Sequence, residues 1–337
     1  MINKTKILTF GEIMLRLTSP EYNTIEEAHH FIANYGGGEA NVAVSLSRFG
    51  HDTYFISRLP NNQLGDSAIK HLKGNGVNTS FVDRGGSNIG IYFLESGFGG
   101  RPSKVIYNRK YAAITSIHIE KFDLKEIFQD AKWFHFSGIN LALGQQVVDV
   151  LLQFLEACKQ YGVTVSFDCN YRKTLWQEID PKPFYKKVMP YVDVCFTSPF
   201  DAINLFGITS SETIKEKIDT DLLTKLMDTY QIKYLFGTKR TIYTATDNAL
   251  GAYVMTLKET HEVSPIRFNI YDRIGGGDAF AAGIIHGLLN KEEDLEFVLK
   301  FGLATSVLKH TIWGDSLNLY EKDVLNYMQN ESGKVIR

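Results

Sequence analysis

The chain has little cysteine. Its 337 residues include three, Cys158, Cys169 and Cys195, with no C-x-x-C pair among them. That argues against a disulfide framework or a structural zinc site and fits a reducing cytoplasm. An excess of either charge is also missing. Thirty-six Lys and Arg face 38 Asp and Glu, for a formal net charge of -2. With an estimated pI of 6.5 and no basic run, nothing supports a nucleic-acid or membrane-surface partner. No apolar run is long enough to span a bilayer. At the N-terminus, Glu12 and Arg16 interrupt the apolar stretch too early for a secretory signal. A soluble, cytoplasmic protein is expected. Two familiar phosphate loops are absent as well: there is no G-x-x-x-x-G-K-[ST] and no G-x-G-x-x-G, which excludes an ordinary P-loop kinase and a dinucleotide fold. Nine histidines are scattered without an H-E-x-x-H pair, so a histidine metal centre is not expected.

What is present is ordinary globular composition, 44% hydrophobic and 22% charged, in a length that suits one large α/β domain or two smaller ones. Short apolar, β-branched runs at 6–12, 52–59, 132–138, 163–168, 193–198 and 232–237 predict strands. Helix-period segments lie between many of them, including 38–50, which ends in Gly50, and 144–162, with Gly162 as the natural C-cap. Alternation of this kind predicts a doubly wound, mostly parallel sheet whose ligands bind beyond the carboxyl ends of the strands. Residues 17–35 and 88–117 break the pattern and predict a small β-rich lid, assigned to about 12–35 and 88–117. Within it, KVIYNRK alternates like a half-covered strand. The final ESGKVIR reads as a loose tail.

Two glycine triplets stand out. Gly275, Gly276 and Gly277 precede Asp278 and a helix-like run. Glycines let backbone approach a ligand closely, and a helix start aims free N–H groups and the positive end of its dipole at an anion. A carboxylate beside that anion is placed to take the proton of an attacking hydroxyl. The same residues also suit a plain strand-to-helix loop with an N-cap aspartate. Gly36, Gly37 and Gly38 lead into a second helix, with Asn41 available for sugar hydroxyls. Just after a predicted strand, FDCNYRKTLW puts Asp168, Asn170 and Arg172 at alternate positions, which face one way if the backbone stays extended.

Together these residues resemble the ribokinase-like, or PfkB, carbohydrate kinases over essentially the whole chain. GGGEANVAVSLSRFG resembles the family's N-terminal signature. DRIGGGDAFAAG matches every fixed position of D-x-x-G-x-G-D-x-F-x-x-G, about 240 residues later. The resemblance implies a single kinase domain over 1–337, with a ribokinase-like sheet and lid, that uses ATP and Mg2+. Gly275, Gly276 and Gly277 would form the anion hole and Asp278 the base. Asn170, Arg172, Gly237, Thr238 and Arg240, with Gly275 and Gly277, would contact the nucleotide, which lies over a loop following Gly237. Arg240 stands where the usual pattern has glycine. Ser198 and Asp201 stand where most members have Asn-x-x-Glu, and Asp201 would hold the metal through water.

Within the family the chain is most similar to kinases of 2-keto-3-deoxygluconate. The similarity rests on FDCNYRKTLW, on the lid segments IYFLE and YNRKYAA, and on TIWGD with Asp315. It implies substrate contacts from Gly36, Gly37, Asn41, Tyr92, Tyr107, Arg109, Arg172 and Asp315. A sugar acid needs a cation or several donors for its carboxylate, which Arg109 and Tyr92 can supply; Arg172 suits either substrate or phosphates. The expected reaction is transfer of the γ-phosphate of ATP to the 6-hydroxyl of this sugar acid. Another sugar kinase of the family, such as a fructokinase or ribokinase, and a non-catalytic sugar sensor are the alternatives. Edge strands in the lid point to a homo-oligomer.

Overall fold

A computed structural model describes residues 5–329, so the tail ESGKVIR lies outside the described residues. The predicted strands assemble into a nine-stranded sheet. Lys6–Phe10 sits between Asp52–Leu59 and Ala131–Ser137. Thr164–Asp168, Val194–Phe196 and Tyr234–Ile242 follow on one side in parallel register, and Val82–Arg84 closes the other edge. Asp247–Met255 and Thr260–Asn269 extend the sheet antiparallel.

Strand alternation divides the interior into two cores, one on each face. Leu8, Phe10, Phe134, Phe136 and Phe167 pack with the helix Gln145–Tyr161, which Gly162 ends in left-handed conformation as expected. Ile7, Trp133, Val194 and Phe236 point the other way. They meet the buried helices Gly276–Lys291 and Leu295–His310, together with Val42 and Leu46 of the helix Gly38–Arg48.

The lid segments form a separate four-stranded sheet in the order Ile32–Gly36, Met14–Thr18, Ile91–Glu95, Lys104–Asn108. One detail differs from the sequence expectation. Lys104–Asn108 is exposed at every position, not half-covered, because it is the outer edge of that sheet.

Two backbone expectations are corrected. Residues 237–240 are not a loop: the strand runs on to Ile242, paired through Gly237↔Tyr253 and Arg240↔Leu250. Gly237 permits this, since a Cβ there would fall 2.2 Å from the Tyr253 ring. Nor does extended backbone carry Asp168, Asn170 and Arg172. The strand stops at Asp168, and Asn170 turns left-handed at φ 35°. Likewise the cysteines that are distant in sequence are not all distant in space. Adjacent strands bring the sulfurs of Cys169 and Cys195 to 4.0 Å, both buried and reduced. No helix of the described residues is long and apolar enough to cross a membrane.

Candidate active site

Beyond the carboxyl ends of the parallel strands, under the small sheet, lies a cavity of about 540 Å³. A second, of about 300 Å³, opens beside it between the strand residues Phe196 and Phe236 and the helix residue Phe280. Asp168, Asn170, Arg172 and Gly277 line both, so the two meet at the glycine triplet. The left-handed turn at Asn170 thus achieves by another route what alternation was expected to do.

Gly275 caps the helix Gly276–Lys291 with φ 82°, a conformation that favours glycine. Asp278 is therefore inside the first turn and is not the cap. A Cβ on Gly275 would lie 1.7 Å from the Asp315 carbonyl oxygen, and one on Gly276 2.2 Å from the His310 ring. The protein's own packing accounts for those two glycines. Gly277 is different: a Cβ there would meet nothing within 4 Å and would project into space that both cavities share. Its bareness leaves room for a ligand at a helix N-terminus, where an anion is favoured.

The Asp278 carboxylate accepts a hydrogen bond from Asn41 Nδ2 at 2.7 Å. Asn41 in turn accepts from Ser316 Oγ at 3.0 Å. The amide expected to serve sugar hydroxyls therefore also holds the aspartate. Burial among the cavity walls pushes Asp278 up to about 6, opposed by the Asn41 hydrogen bond and the Arg172 charge. Asp168 is pushed up to about 7 by burial and by the neighbouring Asp278 charge. Perturbation of this kind puts a carboxylate in the range a general base uses.

The other sequence candidates fall around the same space. Gly37 and Asn41 line the larger cavity, whereas Gly36 packs beneath it, where a Cβ would strike the Asp315 carboxylate at 2.1 Å. Tyr92, Tyr107, Arg109, Arg172, Arg240 and Asp315 line it as well. The Tyr92 hydroxyl donates to Asp315 Oδ2. Arg109 is no solvated lid residue: it is 8% exposed and ion-paired with the buried Glu12, while its Nε has no protein partner. Burial and Arg273 lower the Arg240 guanidinium to about 10, and it leans on the His310 ring nitrogen at 3.3 Å.

Gly237, Thr238 and Asp201 line the smaller cavity. Ser198 and Asp201 form a capping box at the start of Pro199–Asn204, with Ser198 Oγ donating to Asp201 Oδ2 at 2.7 Å. The protein bonds to that carboxylate fall on Oδ2, so Oδ1 has no protein donor among the described residues. Among those residues no group of three or more His, Cys, Asp or Glu is arranged to hold a metal.

As site residues, sequence reasoning missed Glu12, Arg16 and Lys309, and it gave Asp272 no role beyond a fixed position of the signature; all four are buried around this space. Glu12 and Arg16 are the two residues that interrupt the apolar N-terminal stretch, and a charge inside a strand-like run was the only signal available.

The pfkB family carbohydrate kinase profile matches residues 4–317. The chain belongs to the PfkB family of carbohydrate kinases. Members similar to it include the crystal structure of 2-dehydro-3-deoxygluconokinase from Thermotoga maritima. That protein is 39% identical with a TM-score of 0.92, over 97% of this chain and 99% of that one. A 2-dehydro-3-deoxygalactonokinase from Haloferax volcanii is 30% identical over 92% of each chain. A 2-dehydro-3-deoxygluconokinase from Bacillus subtilis is 28% identical over 85% of this chain and 84% of its own. As in other members of this kinase family, the fold is a large, mostly parallel sheet with helices on both faces and a small second sheet.

Proposed function

We propose that this PfkB kinase transfers the γ-phosphate of ATP to the 6-hydroxyl of 2-keto-3-deoxygluconate (2-dehydro-3-deoxygluconate). The observation that carries the reading is the meeting of two cavities at Gly277, one residue before a carboxylate raised toward neutrality. The larger cavity takes the sugar acid and the smaller takes the nucleotide, so the phosphoryl group passes between them at the helix N-terminus. The backbone N–H groups of Gly275, Gly276 and Gly277 stabilise its charge. Asp278 takes the proton from the 6-hydroxyl. The oxygen then bonds to the γ-phosphorus as the bond to the β-phosphate oxygen breaks, giving ADP and a 6-phosphate ester.

Arg172, at the junction, serves the phosphates, with Asn170, Thr238 and Arg240 on the nucleotide. Arg109 and Tyr107 receive the carboxylate end, and Asp315 accepts from a sugar hydroxyl. The small sheet acts as the lid. Mg2+ bound to ATP keeps most of its waters and requires only one or two carboxylates. Asp201, with a free Oδ1 beside the nucleotide cavity, fits that role through water. When bound, the ion neutralises phosphate charge. The exposed edge strand Lys104–Asn108 supports a homo-oligomer paired through lids. A cytoplasmic location suits an enzyme using ATP with three reduced cysteines.

The Haloferax relative supports a second substrate, the C4 epimer of the sugar acid. A coupled ADP-release assay with both sugar acids, fructose and ribose tests the assignment. At least one sugar acid is expected to exceed both neutral sugars in kcat/KM by about a hundredfold or more. An equal or higher value for fructose or ribose overturns it.

A pH dependence follows from Asp278. The base must be ionised to accept a proton, and its pKa is about 6. kcat/KM for the sugar is therefore level above that pH and falls about tenfold per unit below it. A profile flat from pH 8 to pH 5 removes Asp278 as the base.

A further inference from the structure

We propose that Arg16 is a positioning residue that fixes Asp315 for the sugar and ties the lid to the phosphoryl cradle. The proposal rests on the reading above that Asp315 contacts substrate. Arg16 is 1% exposed, in the middle of the lid strand Met14–Thr18. Nη1 donates to Asp315 Oδ1 at 2.9 Å, Nη2 to Asp272 Oδ2 at 2.7 Å, and Nε to Thr18 Oγ1 at 2.7 Å. Its guanidinium also stacks over Trp313, 5.6 Å from the ring centroid.

The lid register makes this more than one ion pair. Arg16 lies directly opposite Asn34 on one neighbouring strand and Tyr92 on the other. All three side chains converge on one carboxylate: Asn34 Nδ2 donates to Asp315 Oδ1 at 3.0 Å and the Tyr92 hydroxyl to Oδ2. A row across three lid strands thus grips a residue that lines the sugar cavity. The other arm reaches Asp272, which opens the glycine loop. Its Oδ1 accepts from the Ile274 N–H at 3.1 Å, just before Gly275, and its Oδ2 from the Gly314 N–H at 2.9 Å, just before Asp315. One guanidinium therefore fixes the lid, the loop that carries Asp315 and the loop that leads into the cradle.

Charge and geometry both matter here. One cation faces two buried carboxylates. Both Asp315 oxygens accept from the protein, Oδ1 from Arg16 and Asn34 and Oδ2 from Tyr92, so the partner this carboxylate selects on the substrate is a donating hydroxyl. Stability alone does not require such a triad, since apolar replacements of buried ion groups are often as stable. A planar fork is needed to meet both carboxylates, and a lysine ammonium has no such fork.

The test uses Arg16→Met, Arg16→Lys, Asp315→Asn and the Arg16→Met/Asp315→Asn pair, with KM for sugar and ATP, kcat and melting temperature measured for each. Arg16→Met is expected to raise KM for the sugar on the order of tenfold or more and to lower kcat, with KM for ATP unchanged within about twofold. Arg16→Lys is expected to fall between it and wild type, and covers the case in which the methionine variant does not fold. In the Asp315→Asn background, Arg16→Met is expected to raise the sugar KM little further, because the two act as one unit. Wild-type sugar KM in both Arg16 variants, equal shifts in the two KM values, or independent multiplicative effects overturn the proposal while leaving the site reading in place. Wild-type sugar KM in Asp315→Asn overturns the site reading itself, and the proposal with it.

Discussion

Replacing Asp278 by asparagine is expected to lower kcat by about a hundred- to ten-thousand-fold, with the fold intact and KM for the sugar little changed. Asparagine keeps the shape and keeps a partner for Asn41, but it cannot take a proton. The aspartate is suited to that task by its surroundings: burial raises it to about 6, while Asn41 and Arg172 keep it from rising further. The folded protein binds a proton on this carboxylate more tightly than the unfolded chain does. Ionisation between the ordinary carboxylate range and about pH 6 therefore costs stability, which asparagine relieves. The variant is thus expected to melt at or above the wild-type temperature at pH 8. A steady-state assay together with thermal melting checks both parts, and wild-type turnover removes Asp278 as the base.

Replacing Arg109 by alanine is expected to act on binding and stability together. The guanidinium is buried against Glu12, whose carboxyl is already raised by burial and held back by the Arg109 charge. Removing the cation strands that carboxylate, a loss of about 3–5 kcal/mol, limited by the readiness of Glu12 to take up a proton. The same change removes the donor assigned to the substrate carboxylate, so KM for a sugar acid rises roughly 10- to 100-fold and for a neutral sugar much less. Pairing Arg109→Met with Glu12→Gln separates the two effects. Unfolding measurements on the double variant are expected to recover most of the stability, and its KM for the sugar acid stays high. Recovery of both would reduce Arg109 to a structural partner of Glu12.

Local sequence carried much of this site. The cradle is contiguous, so Gly275 to Asp278 could be identified from one stretch, and the strand ends could be placed because buried parallel strands are unbroken apolar runs. The contacts that orient the site were hidden because the partners are remote, even where a residue such as Asn41 was itself named. Asn41 meets Asp278 across 237 residues and Arg16 meets Asp315 across 299. In a window around residue 16, an arginine between leucines looks like an outward-facing strand position. The misread loop at 237–240 has a similar cause. Whether the strand stops or continues there depends on Tyr253, which receives Gly237 under its ring from the next strand of the hairpin. Fully exposed Lys104–Asn108 shows the converse limit: alternation records the pattern of side chains, not whether anything covers them.

Phosphorus-31 NMR of the reaction with ATP and 2-keto-3-deoxygluconate tests the central claim most directly. The account predicts that the γ-phosphate signal is replaced by that of a phosphomonoester coupled to the two C6 protons, in equal amount to the ADP formed, and only when the sugar acid and enzyme are both present. Release of inorganic phosphate without an ester, or an ester at another carbon, would contradict it.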